Sequence, residues 1–380
     1  MKEDLTIVGG GIAGLTAAIA LRQIGIDTGI FESAVEIKAI GAGLGLGANA
    51  IRAFGKLGFK EEIIKLGRLL PAFTIYDESG KIITKTDSLA SSQKFGEDNF
   101  TIHRAELHKF LLSQIDESQV HINKRVTDFI QEKDSVTVKF EDGSEHKTKY
   151  LLAADGIHSV FRKKLLPASV PRYAGYTCWR AVVDNSGLNI NESSEIWGKG
   201  RRFGIVPLSN DKMYWFACIN AKQNDKKMND FRISDLQKHF GNFPSPVSEI
   251  LKITKDESLI QNDIADIKPV NRFAFGNIVL IGDAAHATTP NLGQGACQAI
   301  EDAVILADEI NTTGNIKTAF RIFEERRMKR TKYIINTSRR IGKIAQIENG
   351  ILASFRNYLF RKLPASVSAK QLEKLYNIEF

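Results

Sequence analysis

The strongest constraint in this chain of 380 residues is a Gly-x-Gly-x-x-Gly motif close to its start. The β-branched run Leu5–Val8 predicts a strand, Gly9, Gly11 and Gly14 follow it, and residues 15–24 predict a helix. Dinucleotide-binding folds have this strand–turn–helix order: the glycines allow a tight turn, close approach of a pyrophosphate and close packing of helix on strand. The helix N-terminus offers free N–H groups to phosphates.

A second predicted strand, from Asp27 to Phe31, ends at Glu32. An acidic side chain at this place can accept a hydrogen bond from a ribose hydroxyl, and it disfavours a 2′-phosphate. The alternative is a glycine-rich turn without a ligand. It is disfavoured because strand, helix and acid all occur in the expected order.

A second glycine-rich segment lies far along the chain and indicates the same ligand. Residues 276–281 predict a turn and a buried strand, and Asp283, just after it, can accept a hydrogen bond from a ribityl hydroxyl. Gly293, Gln294 and Gly295 then open a predicted helix, residues 296–310. Its N–H groups and dipole suit the pyrimidine end of a flavin, where negative charge develops on reduction. Alone, this segment would also fit an ordinary strand–loop–helix; the pair predicts non-covalent FAD.

With these motifs the chain resembles the single-component flavin aromatic hydroxylases, the group of para-hydroxybenzoate hydroxylase. The resemblance rests on residues 9–14, on the Asp-Gly motif Asp155–Arg162, and on Gly282–His286. It covers about the first 310 residues. Tyr173–Arg180 and Gly198–Arg202 look closest to the branch of FAD-dependent urate hydroxylase, zeaxanthin epoxidase and the tetracycline-inactivating monooxygenases.

The resemblance implies an α/β fold: a Rossmann-like FAD-binding domain, a discontinuous substrate domain with a mainly antiparallel β-sheet, and C-terminal helices. Residues 1–70, 100–170 and 277–315 would form the FAD-binding domain. Residues 71–99 and 171–276 would form the substrate domain, and residues 316–380 a C-terminal helical segment.

The resemblance also implies a set of cofactor contacts. Arg104 would contact the flavin or its phosphates, the backbone at Val126 would meet the adenine, and Ser33 and Gly45 would lie along the cofactor. The full expected FAD-binding set is Gly9, Gly11, Ala13, Gly14, Glu32, Ser33, Gly45, Arg104, Val126, Asp155, Asp283, Pro290, Gly293, Gln294, Gly295 and Ala296.

The family reduces FAD with NADH or NADPH and then adds O₂ at the flavin C4a, forming a C4a-hydroperoxyflavin that hydroxylates or epoxidises an aromatic, heteroaromatic or polycyclic substrate. Only one dinucleotide motif occurs, so we expect NAD(P)H to bind transiently. Gly43–Gly47 is no second motif, because no strand runs straight into it, and we expect residues 41–47 to form a flexible loop.

Arg202 and Tyr214 are the expected substrate-side pair, by analogy with the urate hydroxylase. Arg202 would hold an anionic or carbonyl-bearing ring and Tyr214 a polar ring atom; the alternatives are a surface strand cation and a core aromatic residue. A four-residue loop over 209–212 would put the two on opposite faces of a hairpin, and another register would reverse this. His286 is interpreted as a structural histidine that holds the backbone of residues 288–290, not as a general base.

Two other functions share the fold: a flavin halogenase and a non-catalytic carrier of prenylated proteins. The halogenase motif Trp-x-Trp-x-Ile-Pro does not occur, and carriers lack an intact flavin cradle.

Three scattered cysteines predict neither a metal site nor a disulfide and fit the reducing cytosol. No signal peptide or membrane span is predicted, so we expect a cytoplasmic protein, monomeric or homodimeric, that binds no nucleic acid and does not insert stably in a membrane.

The C-terminal segment is basic. Residues 316–380 hold 15 Lys/Arg and 5 Asp/Glu, a net +10 against +8 for the whole chain. A helix from about Ser338 to Leu363 is predicted to pack its apolar stripe on the protein; the alternative is that it lies on an anionic membrane. The stripe is Ile341, Ile344, Ile347, Ile351, Phe355 and Leu359, and the cations beside it are Arg339, Arg340, Lys343, Arg356, Arg361 and Lys362.

Overall fold

A computed structural model describes residues 4–36, 42–88, 93 and 100–380. Gly41 of the predicted glycine loop and residues 89–92 and 94–99 of the expected substrate domain lie outside this range. Within it the strands are β1 Leu5–Val8, β2 Gly29–Phe31, β3 Gly43–Leu46, β4 Arg68–Leu69, β5 Ala72–Asp77, β6 Ile82–Asp87, β7 Phe100–His103, β8 Val120–His121, β9 Val126–Gln131, β10 Val136–Phe140, β11 Glu145–Thr148, β12 Tyr150–Ala153, β13 Pro171–Asp184, β14 Ser193–Trp197, β15 Arg201–Pro207, β16 Lys212–Asn220, β17 Ile260–Ile267, β18 Ala274–Phe275 and β19 Ile278–Leu280.

Helices pack beside the sheets and make up most of the described chain after Asp283. Short 3₁₀ turns occur at Glu117–Gln119, Asp256–Ser258 and Pro290–Leu292. The α-helices are α1 Ile12–Gln23, α2 Ala48–Lys56, α3 Lys60–Leu66, α4 Arg104–Ser113, α5 Val160–Leu165, α6 Lys226–Asn229, α7 Ile233–Phe240, α8 Val247–Ile253, α9 Asp283–His286, α10 Gly295–Thr313, α11 Ile316–Ala345, α12 Gly350–Lys362 and α13 Ala365–Tyr376.

A six-stranded sheet carries the N-terminal motif, with the strand order β18-β19-β12-β1-β2-β8. β1 runs parallel to both β2 and β12, and β12 runs parallel to β19. All residues of β1, β12 and β19 are buried, which explains their continuous apolar sequences, because a parallel sheet is covered on both faces. The long helices α1 and α10 pack against each other beside this sheet.

A seven-stranded sheet has the order β17-β13-β16-β15-β14-β5-β6 and is antiparallel except between β14 and β5. The predicted hairpin around residues 78–80 is confirmed as β5–β6. One face of this sheet is an apolar core under α7 and α8; it contains Trp179, Phe203, Trp215, Leu236 and Phe240. The prediction of mainly strands for residues 171–267 missed helices α6 to α8, although Ile233, Leu236 and Phe240 have helical spacing.

The glycine segment before α2 is a strand, so the prediction of a flexible loop is wrong for its described part. β3 pairs with β7 and lies against the seven-stranded sheet. A β-carbon at Gly43 would come within 2.5–2.7 Å of the Tyr214 side chain. Glycine at this position therefore permits close packing of the two sheets.

The prediction of one helix from about Ser338 to Leu363 is also wrong. α11 ends at Ala345 and α12 begins at Gly350, where the side chain of Asn349 accepts hydrogen bonds from the N–H groups of Ile351 and Leu352. Asn is a favoured N-cap residue, and this signal outweighed the continuous apolar stripe.

The predicted packing of the stripe fails in α12. Ile351, Phe355 and Leu359 are exposed, and the helix packs on the protein through its other face, at Arg356 and Phe360. The guanidinium of Arg356 lies over the Trp197 ring at 5.1 Å, and the Phe360 and Trp197 ring centroids are 5.5 Å apart.

A buried ionic cluster joins α10 to α11. Arg327 is fully buried; its Nε donates to Asp302 (2.7 Å) and its Nη1 to Glu301 (2.5 Å). Burial by itself would raise the pKa of both carboxyl groups, but Arg327 and the other neighbouring donors outweigh burial and hold both pKa values below their usual range. Asp302 also accepts a hydrogen bond from the N–H of Gly282 (2.8 Å), which links the cluster to the second glycine-rich segment.

We predict that Arg327→Met strongly destabilises the protein. Removal of the cation leaves two buried carboxylates without their counter-charge, so the free energy of unfolding should fall by about 3–5 kcal/mol. Denaturant titration measures this change. Arg321→Met, at an exposed position of the same helix, is the control and should change stability by less than about 0.5 kcal/mol. Equal effects of the two substitutions would contradict the stabilising role of the cluster.

Candidate functional site

Four predicted cofactor residues follow neighbouring parallel strands at one edge of the six-stranded sheet. Gly9 follows β1, Glu32 follows β2, Asp155 comes two residues after β12, and Asp283 comes three residues after β19. The carboxyl ends of parallel strands meet at the same edge, and this edge is where open α/β sheets bind their ligands.

The N-terminal glycines have distinct roles in the turn. Gly9 has a φ of +111°, and a β-carbon there would come within 2.3 Å of the Ala154 carbonyl oxygen. A β-carbon at Gly14 would collide with the Gly9 carbonyl oxygen. At Gly11, by contrast, a β-carbon would meet no described atom within 4 Å. Gly9 and Gly14 therefore shape the turn, while Gly11 faces open space at the N-terminus of α1, which has no side-chain cap.

The Glu32 carboxylate is held between the two strand ends. It accepts hydrogen bonds from the N–H of Gly10 (2.6 Å), from the Ser33 hydroxyl (3.0 Å) and from the N–H of Ala34 (2.8 Å). The backbone N–H of Lys124 bonds to the Glu32 carbonyl oxygen, which brings the start of β9 and Val126 to the same end of the sheet. The Val126 side chain is buried.

Asp155 and Asp283 are two acidic residues that differ in exposure, because Asp155 is partly buried and Asp283 is exposed. Burial raises the pKa of Asp155, whose Oδ2 accepts from the N–H of Val160 (2.8 Å) while its buried Oδ1 has no partner among the described residues. Water reaches the Asp283 side chain, yet protein surrounds it closely enough for desolvation to raise its pKa, against the opposing charges of His286 and Arg104. Arg104 is exposed, and its N–H bonds to the carbonyl oxygen of Ala42 at 3.0 Å.

The loop before α10 presents backbone groups. Pro290 begins a 3₁₀ turn, Gly293 has a φ of +62°, and α10 begins at Gly295 without a side-chain cap. The Gln294 side chain is largely buried, and its amide oxygen accepts hydrogen bonds from Asn49 and Gln298. Ala296 follows in the first turn of the helix and is partly exposed.

Open space borders several of these groups. A β-carbon at Gly45 or Gly293, as at Gly11, would meet no described atom within 4 Å. Ala13 is buried under the second glycine-rich segment, where a β-carbon at Gly282 would approach the Ala13 methyl group to 2.8 Å. Two uncapped helix N-termini, buried acceptors and glycine-lined space are the features that a dinucleotide cofactor such as FAD requires.

The second face of the seven-stranded sheet carries both predicted substrate residues. Arg202 pairs with Cys218 and Val206 pairs with Tyr214, because the β15–β16 hairpin closes through a Leu208–Lys212 hydrogen bond around a three-residue loop. This register differs by one from that of a four-residue loop, so Arg202 and Tyr214 share a face. They are four residues apart along the ladder, or about 13 Å.

Arg202 is buried on this face and is no surface cation. Its Nη1 donates to Glu195 (2.9 Å), and its Nη2 donates to Asn291 (2.5 Å) and Tyr176 (3.4 Å). Burial disfavours the charge, but Glu195 outweighs it and raises the pKa of Arg202, so the guanidinium stays protonated. The remaining nitrogen, Nε, is buried without a hydrogen-bond partner among the described residues.

Tyr214 lies at the other end of the face. Burial raises the pKa of its phenol, which keeps the hydroxyl protonated in alkaline solution. Its ring lies 6.0 Å from that of Phe216 and against Gly43, and within the described chain its hydroxyl has no hydrogen bond. Val182 is the direct neighbour of Tyr214, and Gly204, Phe216 and Arg180 lie between Tyr214 and Arg202 on the same face.

His286 has a different partner from the predicted one. Its Nε2 lies 2.6 Å from Asp302 Oδ2 in the buried cluster, and it does not hold the backbone of residues 288–290. The buried contact gives it a structural place, at the end of the segment that begins with Gly282.

Sequence reasoning missed the residues that surround Arg202. Glu195 reaches it from β14, Tyr176 from β13, and Asn291 from the loop before α10. Asn291 also donates to the Thr289 hydroxyl and to the Ser338 carbonyl oxygen. Only the strand register could have shown that Glu195 and Arg202 share a face. The polar run Gln298, Glu301 and Asp302 in an apolar helix was a usable signal for the ionic cluster.

Comparison with known proteins agrees with this geometry. The family model described as an FAD binding domain matches residues 2–315. The chain belongs to this FAD-binding family. The predicted cofactor and enzyme class, an FAD-dependent monooxygenase, are thereby confirmed together with the fold class.

Curated relatives match along nearly the whole chain. Aurachin C monooxygenase/isomerase from Stigmatella aurantiaca is 36% identical, covering 96% of this chain and 95% of the relative. The 2-heptyl-3-hydroxy-4(1H)-quinolone synthase of Pseudomonas aeruginosa is 31% identical, covering 97% of each. The FAD-dependent urate hydroxylase of Klebsiella pneumoniae is 32% identical over 88% of each, so the predicted branch is confirmed.

A solved structure has the same architecture. Klebsiella pneumoniae HpxO complexed with FAD and uric acid superposes with a TM-score of 0.90 at 30% identity, covering 97% of this chain and 95% of HpxO. In the described residues no helix is long and apolar enough to cross a membrane, and no group of His, Cys, Asp and Glu could hold a metal ion.

We predict that Gly11→Val abolishes FAD binding without unfolding the protein. The valine side chain fits the apoprotein, because the space around the α-carbon is open, but it fills the space that a pyrophosphate needs. The ratio of flavin to protein absorbance in the purified protein measures the loss. Gly187→Val is the matched control, since it also has open space and lies on an exposed loop. Full flavin content in Gly11→Val would show that the cofactor does not pass this turn.

Proposed function

We propose that this enzyme hydroxylates a neutral heteroaromatic ring of the 4-quinolone type that carries an apolar chain. Two relatives that match almost end to end support this: one is named for aurachin C, and the other for a heptyl-substituted hydroxyquinolone. The candidate substrate face agrees with such a compound in part, because Phe216 lies between Tyr214 and Arg202, Val182 lies beside Tyr214, and Arg180 adds a second polar group next to Phe216.

The pairing of Arg202 supports a neutral substrate. The Arg202 guanidinium is already neutralised by Glu195, with side-chain exposures of 4% and 10%. A buried cation that is paired and hydrogen-bonded offers little net attraction to an anionic ring. A neutral quinolone carbonyl can still accept a hydrogen bond from the free Nε of Arg202.

The FAD would be held by the edge of the six-stranded sheet. In this proposal Gly9, Gly11, Ala13 and Gly14 border the pyrophosphate, Glu32 and Ser33 the ribose, and Val126 the adenine. Gly45, Arg104, Asp155, Asp283 and residues 290–296 border the ribityl chain and the flavin ring. The bound cofactor supplies oxygen activation with electrons from NADH or NADPH. The chain itself positions the ring, keeps water away and donates hydrogen bonds.

Arg202 and Tyr214 would position the ring from opposite ends. Tyr214 would donate its phenolic proton in a hydrogen bond to a polar ring atom, and its raised pKa keeps that proton in place in alkaline solution. Arg202 also contacts Asn291 in the loop before α10, so it would align the substrate relative to the cofactor as well as hold it.

The proposal includes a domain division, the co-substrates and a compartment. The domain division is 1–70, 100–170 and 277–315 for FAD, 71–99 and 171–276 for the substrate, and 316–380 for the helical segment. O₂ is the co-substrate, and the reducing cytoplasm is the proposed compartment because Cys178, Cys218 and Cys297 are free and buried. The described chain has one mainly parallel six-stranded sheet. One such sheet supports one FAD site, with NAD(P)H bound only transiently.

We predict that 2-alkyl-4(1H)-quinolones lacking the 3-hydroxyl stimulate NAD(P)H oxidation and gain one oxygen atom. Substrate-dependent oxygen uptake and product mass measure the reaction. Removal of the alkyl chain should raise KM at least about tenfold, because each buried CH₂ contributes about 0.8 kcal/mol. Urate is the competing substrate. Coupled turnover of urate without turnover of the quinolones would overturn the proposed substrate class.

We predict that removal of the buried Arg202–Glu195 pair impairs substrate use but not FAD binding. In the double variant Glu195→Gln/Arg202→Gln no unpaired charge remains, so the fold should persist. Loss of the directed hydrogen bonds should lower kcat/KM about tenfold to a hundredfold and increase peroxide release. Steady-state kinetics with peroxide detection measure both.

The matched control is Asp77→Asn/Arg361→Gln, which removes another ion pair of the same sheet, between β5 and α12. It should leave kcat/KM within about twofold. Unchanged turnover and unchanged coupling in the Glu195/Arg202 variant would remove Arg202 from the substrate site.

A further inference from the structure

The outer surface of α12 and the start of α13 is unusually apolar. Seven large apolar side chains are exposed there, Ile351 at 81% and the rest between 45% and 57%. They make up half of the exposed large apolar side chains in the described part of the chain. We call this surface the apolar face; it comprises Ile351, Leu352, Phe355, Tyr358, Leu359, Leu363 and Val367.

The apolar face is a continuous stripe on one side of a helix that is firmly attached by the other. Positions 351, 355, 358 and 359 lie on the same side by helical spacing, and Lys362 lies among them. The opposite side is fixed by Arg356 and Phe360 on Trp197, and by the Arg361 ion pair with Asp77. The apolar face is therefore exposed to solvent on a helix that the rest of the protein holds in place.

Exposed cations are frequent in the C-terminal helices. Lys362 lies within it, and exposed Arg340 and Lys343 lie in the last two turns of α11, whose end is bound to α12 through the Arg356 guanidinium. Lys329 and Lys332 continue the exposed side of α11. The segment 316–380 has a net charge of +10.

This charge decides between a membrane and a second copy of the chain as the occupant. A two-fold dimer through the face would bring each Lys362 close to its own copy within a segment of net charge +10, and like charges in such an interface repel. An anionic lipid surface instead neutralises the cations while its acyl region accepts the apolar side chains. Tyr358, with an apolar ring and a polar hydroxyl, suits the headgroup level.

We propose that the apolar face docks the enzyme on an anionic membrane surface. The helix lies in the plane of the lipid headgroups and does not cross the bilayer. This docking does not depend on which substrate is hydroxylated, and it can be measured without turnover.

The face also lies on the substrate side of the seven-stranded sheet. Trp197, on which α12 packs, is the direct cross-strand neighbour of Arg202. A docked enzyme therefore has the membrane on the same side of this sheet as the candidate substrate site.

Flotation of the full-length, FAD-loaded protein tests the docking. Vesicles of phosphatidylglycerol and phosphatidylcholine, at physiological salt, are compared with vesicles of phosphatidylcholine alone. We expect the protein to float with the anionic vesicles. The variant Ile351→Ser/Phe355→Ser/Leu359→Ser should lower the ratio of bound to free protein at least about tenfold, which corresponds to about 1.4 kcal/mol.

The matched control is Ile122→Ser/Ile130→Ser/Ile253→Ser, which removes three exposed apolar side chains of 44–48% exposure outside the C-terminal helices. It should float like the unchanged protein, and flavin absorbance and thermal unfolding should show that both triple variants are folded. Lys343→Gln/Lys362→Gln should weaken binding to the anionic vesicles several-fold and reduce its dependence on salt.

Three results would overturn the proposal. The first is unchanged flotation of the α12 triple variant, and the second is absence of wild-type flotation with anionic vesicles. The third is a wild-type dimer, seen by sedimentation without lipid, that the α12 triple variant dissociates; this would identify a second copy as the occupant. Equal flotation of the Lys343/Lys362 variant would show that these two cations do not contribute to docking.

Discussion

One buried guanidinium holds the cofactor side of this protein together. Arg327 forms ion pairs with Glu301 and Asp302. Asp302 also accepts a hydrogen bond from the N–H of Gly282, and its carboxylate is hydrogen-bonded to the His286 ring. The turn after β19, the first half of α10 and the middle of α11 therefore share one electrostatic cluster. Because the desolvation of each charge is compensated only by the others, no single member can be removed at low cost. The position of Asp283 and of the α10 N-terminus depends on this balance.

The sequence was sufficient for the parts of the fold that follow local rules. The glycine spacing predicted a tight turn after β1, and the structure has this turn, in which a β-carbon at Gly9 or Gly14 would collide with the backbone. Glu32 lies at the end of β2, as predicted, and accepts a hydrogen bond from the N–H of Gly10 in the turn. The parallel sheet and the hairpin β5–β6 were predictable for the same reason. The family resemblance added the expected order of the remaining motifs.

The parts that were not predictable depend on long-range packing. Arg202 and Tyr214 share a face because the loop between β15 and β16 has three residues; a loop of four would place them on opposite faces. The register between β14 and β15 places Glu195 on the same face as Arg202. The apolar stripe at the C-terminus had the right spacing for a helix, but spacing does not show which side is covered by protein. The sequence could have predicted the N-cap at Asn349, but it could not have predicted the exposure of Ile351 and Phe355.

Helix α11 is a single rod of 30 residues, about 45 Å long. It contacts the cofactor side at Arg327, the loop before α10 at Ser338, and α12 at its last turn. From Ser338 to Ala345 is only about 10 Å along its axis. This single helix holds the end of α12 at a constant distance from the loop before α10, whose Asn291 contacts Arg202. If the enzyme docks on a membrane as proposed, the membrane surface beside α12 therefore stays at a constant distance from the candidate substrate face.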